Sequence, residues 1–536
     1  IWYLLVLLLL CLSLTAIGNL LLERWPEGPK SNLVALALGT MVMGFLSTIL
    51  GLIGILYGLA LAIPLVGALI WKRRSVLAHL KQLIWAKNKW RQRYWWQLPV
   101  ALLGLFFVGI YWLGGMKAFA TGYDGSGLYA NLAQLIADGK RLPGAYQAFG
   151  WSVVMSWGKL LFGSTATSIL LSHFMYVPAL ALAYTISRRW LKHAFALLAV
   201  VLVLSLPMLG FQTMVDEKID LGLLFISLAI IEMLLHWKMP DKSPNWEELT
   251  QGKFWYPAVL LGLMLGFAFS IKYTTVFLVA GVFSAISYRY GKVRLWAAWC
   301  LFFLGFIFVS GFHRWGNLPL TDSEALTFGL VGAVGGLVLA VWYFWKHAQQ
   351  LRPWLFTLLV AGGGFVLVFA PWAMKHLAEH QFELSVNSLL YSKPDRIPVT
   401  IEPQYLSYRF NTNPKLLEEE PQWTQLTQNT AQPTPSATPP APEAKEEDED
   451  KLVGNVQREE LQRYLGFEEG IWRYLTIPFD LSFNIHVPGL RHQEIGFIWL
   501  LLLPLLLFGV GKRSRLKNIL LPILMLVGIA AWFWSL

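Results

Sequence analysis

Apolar runs of about 15 to 20 residues recur along the whole chain, separated by short polar breaks, and they read as helices crossing a bilayer. About 20 apolar residues in helical form cross the hydrocarbon layer while every backbone amide is bonded within its own segment. On that measure the pattern predicts an all-α polytopic membrane protein of about fourteen transmembrane helices. Ile1 to Leu22 forms the first run, with no basic stretch before it, and it is read as a span and not as a cleavable leader. Leu33 to Ile70 has no polar break, so its turn is placed near Gly51 to Gly54, giving about three spans before residue 72.

The polar breaks orient the spans. Lys72 to Gln97 carries Lys72, Arg73, Arg74, Lys81, Lys87, Lys89, Arg91 and Arg93 without one Asp or Glu, which marks a cytoplasmic segment. Trp85, Trp90, Trp95 and Trp96 recur among these cations, as in a segment lying at headgroup level. Strict alternation then carries Leu98 to Gly114 outward and brings Ser168 to Ile186 back. The returns end at three further basic groups: Arg188, Arg189 and Lys192; then Arg289, Lys292 and Arg294; then Lys346 and Arg352. All fall on the cytoplasmic side, and so do Lys512, Arg513, Arg515 and Lys517. The division of the chain is therefore N-terminal spans 1–71, a basic interfacial segment 72–97, a transmembrane core 98–376, an external region 377–494 and C-terminal spans 495–536. Within the external region, Glu418 to Lys451 is rich in Pro, Thr and Ala and ends in five consecutive acids, the composition of a disordered linker.

Composition agrees. The 536 residues are 56% apolar and 14% charged, with a mean hydropathy of +0.51, against roughly 25% charge in a soluble domain. The net charge of +11 belongs to the cytoplasmic loops, so a nucleic-acid partner is not expected. Cys11 and Cys300 both lie in apolar runs and suggest no disulfide or zinc framework. No HExxH, Walker, Rossmann or GxSxG element is present, and no repeat of fixed period.

Candidate chemistry sits where acids gather on the outer side, because an intramembrane charge needs water, a partner or a metal. Asp124 lies in Thr121-Gly-Tyr-Asp-Gly-Ser-Gly127, ahead of Leu128, Leu132, Leu135 and Ile136 at helical spacing, with Gly139 ending the pattern. This predicts an amphipathic helix on the outer membrane surface, with Asp124 either capping it or serving chemistry. Asp216, Glu217 and Asp220 crowd the next short outer loop; they either hold a divalent cation or simply complement a helix N-terminus. Lys272 and Tyr273 stand at the following outer turn, where the lysine either snorkels to headgroups or meets an anionic phosphate. Glu232, deeper in a span, is expected to reach the cytoplasmic interface.

Taken in order, Tyr123-Asp124-Gly-Ser-Gly-Leu-Tyr129, Leu161-Phe-Gly163, Lys218-Ile-Asp220-Leu-Gly-Leu-Leu-Phe225, Lys272-Tyr273 and Pro371-Trp372 resemble the C-superfamily of integral-membrane glycosyltransferases, which includes protein mannosyltransferases and aminoarabinose transferases. The resemblance covers Leu98 to Pro394; Gly125 and Ala130 stand where many relatives have a further acid or a histidine near the first acid. It implies inverting transfer of a sugar from a polyprenyl-phosphate donor to a glycan, lipid or protein acceptor on the external face, in a bacterial inner membrane. Asp124 is then the general base, with Tyr123, Lys272, Tyr273 and Trp372 binding substrate. Asp216, Glu217 and Asp220 hold substrate or a divalent cation such as Mg or Mn. Two other readings stand beside it: a transporter or flippase of lipid-linked glycans, and a non-catalytic membrane subunit on the same fold.

Overall fold

The computed structural model describes residues 2–73, 98–115, 125–145, 147–206, 209–210, 213, 219–237, 251–309 and 322–391. Among these, fourteen α-helices are delimited and no strand appears, only the isolated bridge Gln147–Tyr391. They are α1 (Trp2–Leu22), α2 (Asn32–Leu52), α3 (Leu98–Gly115), α4 (Ala130–Gly139), α5 (Gly150–Phe162), α6 (Thr165–Phe174) and α7 (Tyr176–Ser187). There follow α8 (His193–Leu204), α9 (Asp220–His236), α10 (Gly252–Ile271), α11 (Val276–Val309), α12 (Asp322–Lys346), α13 (Ala348–Glu379) and α14 (Val386–Leu390). A further helical run occupies 58–73. These helices all belong to one of two units into which the chain divides; nearly all of the other, 205–208 and 399–504, lies outside the described residues. Most of the interfacial segment 72–97, the linker 418–451 and the C-terminal spans 495–536 also lie outside them.

Seven helices among the described residues are long and apolar enough to cross a membrane: α1, α2, the nearly continuous α6–α7, α10, α11 with its leading turn, α12 and α13. Their outward faces are greasy. Phe328, Val331, Val334, Val338 and Trp345 on α12, and Leu59, Ile63, Val66 and Ile70 in the run 58–73, are all exposed at helical spacing. In water such stripes would drive aggregation; in lipid they are the solvated surface. The chain is an integral membrane protein by this measure.

Helices in lipid gain nothing from the hydrophobic effect on meeting, so they associate by close packing at small residues. α1 and α2 run antiparallel with Gly18 against Ala35 and Gly39 against Leu14, close enough that a Cβ at either glycine would overlap a backbone carbonyl. α10 and α13 run parallel, Gly262 and Gly266 lying against Ala361 and Phe365, and Gly364 against Val259. Gly262-Leu-Met-Leu-Gly266 is a small-xxx-small stripe of the kind that lets two backbones touch.

The turns follow local chemistry. α2 ends in a Schellman motif: Gly54 takes φ +75, its N–H donates to Gly51 O at 3.3 Å, and Ile55 N–H donates to Leu50 O at 2.9 Å. The turn expected near Gly51 to Gly54 is there. Inside α11, Lys292 has φ 52 and ψ −144, and the chain doubles back on itself. Trp299 Nε1 donates to Ala280 O at 3.1 Å, and Phe277 faces Phe303 at 6.4 Å, pairings open only to two antiparallel arms.

These reversals sort the loops into two ends. At one, Lys72 pairs with Glu23, Tyr256 donates to Leu21 O at 2.9 Å, Arg189 Nη2 meets Glu232 Oε1 at 2.7 Å, and Trp354 Nε1 donates to Ser287 Oγ at 3.1 Å. Three basic groups lie here, Arg188–Lys192, Arg289–Arg294 and Lys346–Arg352, whereas Lys140, Arg141 and Lys159 lie at the other end. At the opposite end, Leu142 N–H donates to Gly51 O at 3.0 Å and Lys272 meets Asp220 at 2.8 Å. The alternation expected from the basic loops thus matches the packing of the described helices.

Several expectations change. Glu232 lies at the basic end, but enclosed: its side chain is 2% exposed and is held by Arg189 and, at 3.4 Å, by His236. The apolar face of α4 packs on protein: Leu132 and Ile136 are buried, and Leu128 before the helix is exposed. Its left-handed C-terminal residue is Lys140 (φ 56), whose ammonium binds Ala137 O, so Gly139 is the last helical residue. α13 runs unbroken through Pro353 and Pro371 to Glu379.

Gly262→Val places a branched side chain onto the Ala361 carbonyl and is expected to cost about 2–3 kcal/mol or more, read as a lowered melting temperature in detergent. Lys292→Gly, which removes a non-glycine residue from a backbone region nearly reserved for glycine, is expected to stabilise by about 1–2 kcal/mol. An unchanged or lower melting temperature for Lys292→Gly would remove the tight hairpin from α11.

Candidate functional site

The end opposite the basic clusters carries an ion pair whose two halves come from separate helices, fifty-two residues apart in sequence. Asp220 is the first residue of α9 and Lys272 caps the C-terminus of α10. Those helices run in opposite senses, so the positive pole of one macrodipole and the negative pole of the other emerge side by side. The acid sits at the pole that favours an anion and the lysine at the pole that favours a cation. Lys272 leaves the helix in an extended conformation (φ −157, ψ 130), its N–H still bonded to Ala268 O at 3.2 Å. Lys272 Nζ then donates to Asp220 Oδ1 at 2.8 Å, with the side chains 34% and 27% exposed. The pair is therefore open to a ligand from outside the bundle.

The α5 start forms the floor. Gly150 packs on Ser270, and Gly222, two residues into α9, packs on the Trp151 ring so closely that any side chain there would collide with the indole. Trp151 Nε1 donates to Ser172 Oγ at 2.9 Å, anchoring the ring that holds Asp220's helix in place. A glycine two positions after the acid is thus a packing requirement of the site.

Tyr273 and Trp372 are each 1% exposed, so both brace the site from inside. The Tyr273 hydroxyl accepts from Ala148 N–H at 3.3 Å and donates to Leu390 O, tying α10 to the α5 start and to α14. Trp372 packs edge-on to Phe149 with ring centres 4.8 Å apart. Next to it lie three residues to which no chemistry was assigned from the sequence. Lys375 Nζ pairs with Glu379 at 2.6 Å and stands 5.8 Å from the Phe149 ring centre. His376 is fully buried, its Nδ1 donating to Leu389 O at 3.2 Å, which leaves the lone pair on Nε2. The signal for them was the spacing of Trp372, His376 and Glu379 on one helical face beyond Pro371.

Tyr123, Asp124, Asp216 and Glu217 lie outside the described residues. The chain resumes at Gly125, which is buried and opens the π turn Gly125–Tyr129 leading into α4, and α4 packs on α5. Of the three acids assigned to a cation, Asp220 is therefore the one described, and an ammonium already neutralises it. Among the described residues no three His, Cys, Asp or Glu side chains come together as a metal site. No family model, curated protein or solved structure matches the chain.

Because Asp220 and Lys272 are partly solvated, their pairing is worth about 0–1 kcal/mol to folding. A double-mutant cycle with Asp220→Asn and Lys272→Met is expected to show coupling of that size in thermal unfolding. Trp372→Ala, by contrast, empties a fully enclosed position and is expected to cost about 3–5 kcal/mol. A coupling of several kcal/mol for the pair would make it a structural fastener instead of an accessible site.

Proposed function

We propose that the chain is a membrane glycosyltransferase that moves a sugar from a polyprenyl-phosphate donor to an acceptor at the end of the bundle opposite the basic clusters, the external face by the positive-inside distribution. The observation that supports it is the Asp220–Lys272 pair: two oppositely charged, ligand-accessible side chains from different spans, set at the rim of an apolar bundle. A donor whose lipid tail lies in the membrane delivers its phosphate to this depth. Lys272 then exchanges its carboxylate partner for the phosphate and offsets the charge that develops as the sugar departs.

That exchange frees the Asp220 carboxylate to orient the acceptor or a cation. A divalent ion such as Mg or Mn, with Asp216 and Glu217 as further ligands, belongs to the same proposal and competes with Lys272 for Asp220. Asp124 is proposed as the general base that accepts the acceptor hydroxyl proton. Tyr273 and Trp372 keep their place in the proposal as positioning residues, since their rings are enclosed and their contacts fix the turn that carries Lys272.

The test is sugar transfer by the purified full chain in lipid nanodiscs, with labelled polyprenyl-phosphate sugars, a panel of acceptors, and chelator present or absent. Transfer by the unmodified chain is expected, with Asp124→Asn and Lys272→Met each lowering kcat by about 10²–10⁴-fold. Full activity of Asp124→Asn at normal expression would remove the assigned base. Absence of transfer from every donor would overturn the reading as a whole.

A further inference from the structure

Away from the Asp220–Lys272 rim, α10 and α13 leave a groove of about 520 Å³ on their outer face, lined by Trp255, Val259, Phe356, Leu359, Gly363 and Leu367, among others. It exists because of a missing side chain. Gly364 is spent on contact with α10, whereas a Cβ at Gly363 would meet nothing within 4 Å, so the neighbouring residues stand around an unfilled trough.

From Phe356 to Leu367 the trough runs about 16 Å along the helix. One leaflet is about 15 Å deep, half the hydrocarbon core. Its lower end lies toward the basic end of the bundle, where Trp255 marks the interface, as aromatic side chains at headgroup level do. Arg352 stands there too, exposed, one turn below Phe356 and on the same face of α13. Cations crowd that end: Arg24, Lys30, Lys72, Arg188, Arg189, Lys192, Arg289, Lys292, Arg294 and Lys346 against Glu23, Glu27 and Glu232 among the described residues. Length, greasiness and charge match a single kind of occupant.

We infer that this groove binds one acyl chain of an anionic glycerophospholipid from the leaflet on the basic side, with its phosphate at Arg352. The site is independent of the glycosyltransferase reading: it lies on the other half of the bundle and shares no residue with the Asp220–Lys272 rim. A lipid seated there covers the parallel α10–α13 contact, whose far end carries both Lys272 and Trp372.

The experiment is native mass spectrometry of the full chain in detergent, titrated with phosphatidylglycerol or with phosphatidylcholine of the same acyl chains. One tightly held phosphatidylglycerol is expected, preferred over phosphatidylcholine. Gly363→Leu fills the trough without a backbone clash and is expected to weaken both lipids at least tenfold. Arg352→Gln, an exposed substitution that leaves the trough intact, is expected to cost phosphatidylglycerol about fivefold and phosphatidylcholine nothing. Gly335→Leu, on open surface of α12, serves as the control and is expected to bind as the unmodified chain does. Equal binding of the two lipids, unchanged binding by Gly363→Leu, equal losses in Gly335→Leu, or a dimer that Gly363→Leu dissociates would each overturn the inference.

Discussion

In a bilayer no helix gains by hiding apolar surface from its surroundings, so the packing of this bundle depends on how closely backbones can approach. Gly18 and Gly39 set the α1–α2 contact, Gly262, Gly266 and Gly364 the α10–α13 contact, and Gly305, Gly329, Gly332 and Gly336 the contact between α11's second arm and α12. Each admits a neighbour's backbone where any side chain would not fit. Large side chains divide between two tasks: Trp151, Trp157, Phe225 and Trp372 fill the interior, whereas Phe328, Val331, Val334 and Val338 face outward and are solvated by lipid.

The same constraint delivers the candidate site. Gly222 lets Trp151 press on the first turn of α9, and Gly150 lets the α5 start press on the last turn of α10. With both helices held by one floor, the two termini bearing Asp220 and Lys272 are adjacent, and their macrodipoles suit the charges they carry. Tyr273 then passes the constraint on to α14 through Leu390, and Trp372 passes it to Phe149. An accessible ion pair is thus supported by enclosed aromatic rings, a division of labour in which the charged groups are free to exchange partners while their backbones are not free to move.

Charge at the other end is managed differently. Glu232 is enclosed and held by Arg189 and His236, within a helix end that has no opening to water at the carboxylate. A buried carboxylate left without those partners would be costly, so this cluster is read as a fastener between α7 and α9. Other cations of that end, Arg352 among them, stand exposed, and the unfilled trough at Gly363 opens beside them.

The sequence by itself determined the class, an all-α membrane protein, and the alternation of the described helices; of the about fourteen spans it predicts, seven are long and apolar enough among the described residues. Runs of apolar residues near twenty long leave helix as the only way to satisfy backbone amides, and the acid-free stretch from Lys72, followed by Arg188, Arg289 and Lys346, fixes which turns share a side. The Gly51–Gly54 turn was legible because a left-handed residue after an apolar run has few alternatives to glycine. What only the tertiary structure decided was partnership. Nothing in the local pattern distinguishes an Asp220 that caps a helix from one that meets Lys272, or a solvated Glu232 from one enclosed by Arg189. Nor does it tell that Leu132 and Ile136 face protein instead of lipid, since both surroundings are apolar and the amphipathic spacing is the same. The physical reason is that hydropathy records how far a residue lies from water, whereas contacts between distant helices depend on which backbones glycine allows to touch.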